Sequence, residues 1–413
     1  MSGIRTSTQA LVLAASALAM GAVAAQAGGL AVREQSTSAQ GSSFAGSAAG
    51  YDLSSGFWNP AAFGIAGWGL TTESHAAAII PDASLSGVGT TIPGGFNVGG
   101  ATSTDIGHIA LVPASYAAYR INKDLVLGLS INSPFGLATK PDDVTWQGRF
   151  VGTTSRMFTA NAAPTLSYQI APGLFIGAGV QIEYMSLLFK FAATGGTAIA
   201  DIDDKASVGY TAGLMWQPTK STSIGLGYRS SISHEMDGSL SVPGVGVLPV
   251  SAKFENPEIA TLSIRQSIAP HMRVLGTVEW TNWSRFGVIP INGTAALGNL
   301  HLDGNWHDSW LFAAGLEYDV SKTLTVRTGV AFEKSPIQNA TERLIQVPDS
   351  DRWWLSAGLT QKLTDKITAD LAYTHIFFDD APFNRQNLTH TVGLIGEAKQ
   401  SADIISFSVK TKW

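Results

Sequence analysis

From residue 66 onward the chain alternates apolar and polar side chains with a period of two, and the connections between these runs alternate between very short and long. Ser401 to Trp413 displays the first pattern: Ile405, Phe407, Val409, Thr411 and Trp413 share one face, and Ser406, Ser408, Lys410 and Lys412 share the other. Trp310, Phe312, Ala314, Leu316, Tyr318 and Val320 repeat it opposite Glu317 and Asp319. Such strands suit oil on one side and water on the other. A soluble sandwich alternates too, so the turns decide. Between breakers the sequence reads as fourteen strands, near 66–80, 106–121, 124–135, 156–170, 173–191, 206–217, 221–235, 251–268, 271–284, 307–320, 323–334, 351–363, 366–378 and 400–413. Six connections are short: Asn122-Lys123, Ala171-Pro172, Pro218-Thr219-Lys220, Ala269-Pro270, Ser321-Lys322 and Thr364-Asp365. The other seven are long and rich in Gly, Pro, Asn and Asp. This arrangement predicts an all-β fold, a fourteen-stranded antiparallel transmembrane β-barrel over 66–413 with both termini on the periplasmic side. Closure matters because an open strand edge in hydrocarbon leaves backbone N–H and C=O groups unsatisfied.

Composition agrees. Only 14% of the 413 residues are charged, against about 25% in an ordinary soluble domain. Beyond the first thirty residues no uninterrupted apolar run is long enough for a spanning helix,. The absence of cysteine excludes a disulfide scaffold, thiolate catalysis and thiolate-held metals,. A net charge of −5 argues against a nucleic-acid partner,.

The N-terminus gives the compartment. Arg5, the apolar stretch Ala10 to Ala25 and the small-x-small run Ala25-Gln26-Ala27 predict a secretory signal peptide over 1–27,. Residues 28–65 lack sustained alternation. They carry the small-residue stretch Ser36 to Gly50 and then Phe57, Trp58, Asn59, Pro60, Ala61, Ala62 and Phe63. Too short for a separate plug domain, this segment is expected to fold inside the lumen as a small hatch.

Three stretches carry a resemblance. They are Asn59-Pro60-Ala61 before the first strand, Ser133-Pro134-Phe135-Gly136-Leu137-Ala138-Thr139 at the end of the third, and Val326 to Pro336 continued by Val347 to Gly358. In this order they resemble the FadL-type outer-membrane transporters of long-chain fatty acids and other hydrophobic compounds. The resemblance implies a bacterial outer-membrane barrel with an N-terminal hatch, an external capture groove, a tighter internal ligand site, and an inward kink in the third strand that opens the wall sideways. It also implies a monomer, with a hydrophobic small molecule and outer-membrane lipid and lipopolysaccharide as its partners.

The residues give that picture physical sense. Pro134 cannot donate to a β ladder and Gly136 tolerates unusual backbone conformations, so Ser133, Pro134, Phe135 and Gly136 form a candidate lateral opening. A lipid cargo gains about 0.8 kcal/mol per buried CH₂, so transport calls for stepwise apolar sites. Leu137, Trp146 and Phe150 of the segment 136–155, with Val144 and Val151, form a candidate capture surface, and Phe191, Ile199 and Ile202 are placed to face it. Arg156, His307 and Arg352 are candidate ligand contacts near the outer ends, and Phe57, Trp58, Asn59, Pro60 and Ala61 are candidate gating residues. Arg229, Arg265, Arg273 and Arg327 are expected to point into the lumen and to pair with Glu183, Glu279, Glu317, Asp319 or Glu333. In Trp306-His307-Asp308 the family can carry a basic residue where His307 stands, which keeps neutral hydrocarbons in play. Asn59-Pro60-Ala61 is expected to touch the wall near the kink. No nucleophile motif, phosphate loop or metal spacing stands out, so neither catalysis nor a cofactor or metal is expected. The alternative function is a general diffusion porin, with a wide charged lumen and no hatch.

Overall fold

The computed structural model describes residues 29–50, 52–92 and 94–413; the leader expected over 1–27 lies outside the described residues. Fourteen wall strands follow in chain order: β1 (Gly69–Thr91), β2 (Ala110–Arg120), β3 (Leu125–Asn132 and Gly136–Thr139), β4 (Thr154–Ala171), β5 (Leu174–Ala193), β6 (Gly196–Thr219), β7 (Thr222–Arg229 and Ile232–Val242), β8 (Gly246–Asn256 and Ile259–Ala269), β9 (Met272–Thr281), β10 (Ser309–Asp319), β11 (Leu324–Lys334), β12 (Arg352–Lys362), β13 (Ile367–Phe378 and Ala381–Gln386) and β14 (Val392–Lys412). Each pairs antiparallel with its sequence neighbours. β14 returns to β1 from Thr71↔Lys412 through Thr91↔Val392, which closes the ring.

The alternation places side chains as hydrocarbon requires. On β14, Ile405 and Phe407 are about half exposed while Ser406 and Ser408 are buried against the lumen contents. Trp310, Phe312, Leu316 and Tyr318 face outward on β10. The terminal Trp413 is also exposed and donates its indole N–H to Thr72 Oγ1 at 3.1 Å.

The wall is taller than the sequence pattern implied. β1 runs on to Thr91, and the segments 192–205 and 236–250, expected as long loops, are instead continued strands. β5 and β6 stay paired to Ala193↔Gly196, and β7 and β8 to Val242↔Gly246. Hydrophobic alternation reports contact with lipid. Above the bilayer that contact ends while the backbone ladder continues, so the pairing outlives its sequence signal.

Residues 29–66 contribute no wall strand. They form a short helix, α1 (Thr37–Gln40), and 3₁₀ turns at Ser47–Ala49, Leu53–Phe57 and Pro60–Ile65, almost wholly buried within the ring. Ser36 caps α1 by accepting from the Ala39 N–H, and Asn59 caps the last turn, with Pro60 in its first position,. Glycines in the wall let this backbone sit close. A Cβ on Gly225 would stand 1.7 Å from the Ala48 carbonyl oxygen, and one on Gly227 1.8 Å from that of Trp58.

Candidate functional site

The third strand breaks where Pro134 was expected to break it. Below the break, β3 pairs with β2 from Arg120↔Val126 to Ser115↔Ile131. Above it, Gly136–Thr139 pairs with β4 alone, while β2 continues beside β1 as far as Ala110. The β2–β3 ladder is therefore interrupted at the extracellular half of the wall. A narrow cavity of about 30 Å³ lies there, bordered by Pro81, Ile106, Gly107, Ala138 and Thr139.

The free side of the break is taken up from within. Val32 N–H donates to the Pro134 carbonyl at 2.8 Å, and Gly136 N–H donates to the Leu30 carbonyl at 2.9 Å, so Ala31 faces Phe135 as a short antiparallel bridge. Gln35 Nε2 donates to the Ser133 carbonyl at 2.8 Å. Phe135 then packs edge-on against Trp283, with ring centroids 5.9 Å apart.

Above this bridge lies an apolar cavity of about 140 Å³. Leu30 and Leu137 line it together with Met157, Leu187, Phe189, Phe191, Ala200, Ile202, Met236, Leu240, Val250 and Phe254. Ser155 and Gln346 are its polar side chains. An engineered cavity of about 150 Å³ with such a lining stays dry and binds benzene. Leu30 thus belongs both to the cavity lining and to the bridge on the broken strand.

Below the cavity the lumen is ionic. Nδ1 of His234 lies 2.8 Å from Asp204 and its Nε2 3.2 Å from Glu183. Arg33, in the N-terminal segment, binds Glu279 of β9 and Glu333 of β11, and Arg352 binds Asp349 and Glu333. Arg265 and Arg273 share Glu317, Arg273 also takes Asp319, and Arg327 stands between Glu317 and Asp370. The lumen pairing read from the sequence is therefore present for Arg265, Arg273 and Arg327. Arg229 instead donates to the Phe57 carbonyl at 3.1 Å, with its guanidinium 4.4 Å above the Phe57 ring. Glu34, next to Arg33, is buried with neither carboxylate oxygen hydrogen-bonded among the described residues. Burial pushes its carboxyl up to about 7, against the pull of the adjacent backbone N–H groups and of Arg33,.

The other candidates fall in different places. Trp146 is fully buried in a separate cluster with Leu85, Phe383 and Leu394, so it anchors its loop from inside, while Val144 is the exposed apolar residue there. Phe150 is half-buried beneath the Arg149 guanidinium. Arg156 is exposed, on the face of β4 opposite the cavity-lining Ser155 and Met157. His307 is half-exposed and meets Glu342 at 3.4 Å. Asn59-Pro60-Ala61 does not reach the kink. Asn59 Nδ2 donates to the carbonyls of Ala48 and Leu214, and the Ala61 carbonyl accepts from Ser167, which seats the tripeptide on β4 to β6. Leu30 to Val32 makes the contact with the kink instead. That role went unread because the stretch around it is short and has no periodicity.

A closed barrel with an oil-facing exterior, a chain segment folded across its lumen and an apolar chamber inside its wall belongs to the class of outer-membrane transport barrels. The comparisons agree. The family described as outer membrane protein transport protein (OMPP1/FadL/TodX) matches residues 18–413, and the chain belongs to this family. The 47 kDa outer membrane protein of Pasteurella multocida is 26% identical over 451 residues, covering 99% of this chain and 100% of that one. The long-chain fatty acid transport protein of Salmonella typhi is 26% identical over 356 residues, covering 76% and 79%. Among solved structures, a FadL homologue from Pseudomonas aeruginosa superposes with a TM-score of 0.84 at 22% identity, covering 93% and 99%, and shares the fold.

Proposed function

We propose that this barrel carries fatty acids or related hydrophobic compounds passively across the outer membrane. Cargo is held in the apolar chamber and released sideways into membrane lipid through the interrupted β2–β3 ladder. The observation that carries the reading is the double role of Leu30, which lines the chamber while its carbonyl holds Gly136 of the broken strand. Cargo pressing on Leu30 and Leu137 acts directly on that bridge. Displacing Leu30 to Val32 would widen the narrow cavity beside Ala138 and Thr139, and the hatch expected over 28–65 would gate the exit through these three residues. Each CH₂ that passes from water into the chamber or into lipid gains about 0.8 kcal/mol, so a gradient suffices to drive the movement. A diffusion porin is disfavoured because the N-terminal segment occupies the lumen.

The test uses a reversible lock. Ala31 and Phe135 form a non-hydrogen-bonded antiparallel pair, for which the Cα separation is about 4.5 Å, inside the range a disulfide spans. In this cysteine-free chain the double variant Ala31→Cys, Phe135→Cys should take up labelled octane, toluene and oleate when reduced and lose uptake when oxidised. Equal uptake in both redox states, with the cross-link verified by mass, would refute release through this bridge.

A further inference from the structure

The apolar chamber does not end in a purely apolar wall. Phe189, Leu302, Leu344, Gln346 and Leu388 also line a second, polar cavity of about 40 Å³ on the extracellular side. Its other walls include His301, Asp303, Arg385, Gln386, Asn387 and His390. By volume it holds about three waters, which is room for a carboxylate with little hydration left.

Arg385 is the cation of this cleft. Its Nη1 donates to the Thr341 carbonyl and its Nη2 to the Asp303 carbonyl at 3.0 Å. Among the described residues no carboxylate stands within ion-pair distance of it. This differs from Arg33, Arg265, Arg273 and Arg352, all of which hold carboxylates lower in the barrel. A guanidinium has five N–H donors, so three remain for a ligand. The nearby Asp303 carboxylate is turned to His301 Nε2 at 3.5 Å. The His301 and His390 rings are neighbours, with centroids 5.8 Å apart and planes tilted by 41°, and His390 Nδ1 meets Gln386 Oε1 at 2.7 Å.

We infer that the Arg385 cleft is a headgroup subsite: an alkyl carboxylate of medium length binds with its charge against Arg385 and its tail in the apolar chamber. This rests on the chamber being the cargo site proposed above, and it adds an orientation and a preferred chemical class. The chamber has the volume of a benzene-binding cavity, so it suits a tail of roughly six to eight carbons. A carboxylate that keeps one hydrogen bond to a guanidinium inside a half-buried cleft gains more than a neutral hydroxyl does.

The test compares octanoate with 1-octanol, which share a tail, by isothermal titration of the whole chain in maltoside detergent. Wild type is expected to bind both, octanoate more tightly. Arg385→Gln should weaken octanoate about tenfold and leave octanol unchanged, and Arg385→Lys should recover part of the octanoate affinity. Octanol binding also certifies that each variant is folded. Equal losses for both ligands, or no loss for octanoate, would overturn the headgroup subsite and leave the chamber reading intact. Failure of wild type to bind octanol would remove the chamber reading itself, and the subsite with it.

Discussion

Glu34 should make the seating of the N-terminal segment depend on pH. Its carboxyl is buried beside Arg33, whose guanidinium is already taken by Glu279 and Glu333. Neither Glu34 oxygen has a hydrogen-bond partner among the described residues, and burial raises its pKa from 4.5 to about 7. The seated state therefore favours the protonated form. Its stability is fully present below about pH 4.5, declines as pH rises through about 7, and levels off above that. At about 1.4 kcal/mol per pH unit the full loss is about 3 kcal/mol, or roughly 300-fold in a local opening equilibrium. The charged groups around it are engaged with one another: Arg33 with Glu279 and Glu333, and Arg352 with Glu333 and Asp349. Hydrogen exchange of peptides covering 29–36, corrected for intrinsic rates, should show weaker protection at pH 8.5 than at pH 5. Glu34→Gln should restore most of that protection at pH 8.5 and change little at pH 5. Corrected protection that is equal at the two pH values in wild type would refute the argument, because an ionised Glu34 would then cost nothing.

Two further perturbations follow from close contacts. A side chain at Gly225 must push on the Ala48 carbonyl, whose oxygen would stand 1.7 Å from the new Cβ. Gly225→Val should therefore raise small-ion conductance in planar bilayers while the unboiled barrel keeps its fast electrophoretic mobility; unchanged conductance would mean that the segment does not block the bore. Ala200→Trp puts an indole into a chamber of about 140 Å³ at an overpacking cost of about 1–3 kcal/mol. Octanol binding should fall at least tenfold, and retention of wild-type affinity would place the cargo elsewhere.

The barrel was legible because lipid contact writes a period-two pattern into every spanning strand and tight periplasmic turns punctuate it. The β2–β3 ladder stops at Ser115↔Ile131, close before Pro134, whose missing N–H is a local property that a single residue announces,. The chamber was harder to read. Phe191 and Ile202 stood out in sequence and do line it, but their partners Met236, Leu240 and Val250 come from β7 and β8, where the segment 236–250 reads as a loop. The signal was present on β7: His234 faces inward, and Met236 and Leu240 continue that same face as apolar residues, an inversion of the polar-inside rule above the bilayer. Arg156 illustrates the reverse failure. Its place near the outer end of its strand made it a ligand candidate, yet a one-residue step in strand register is the difference between the chamber and the outside, and Met157, not Arg156, points inward. Leu30 to Val32 left no pattern at all, because three residues are too few to establish a period.

The interior segment is tied to strands all round the ring, and this fixes an order of construction. Gln35 accepts from Tyr116 on β2, the Leu53 N–H donates to Glu73 on β1, Gln40 donates to the Ile404 carbonyl on β14, and Ser43 meets Ser356 on β12. β1 and β14 are the two edges that meet last, and each already grips residues synthesised ahead of both. A backbone nested this closely against Gly225 and Gly227 has no clearance to be threaded through a finished cylinder. During biogenesis the chain's earliest stretch must therefore be in place as a mandrel, with the sheet wrapped around it before the seam is sewn.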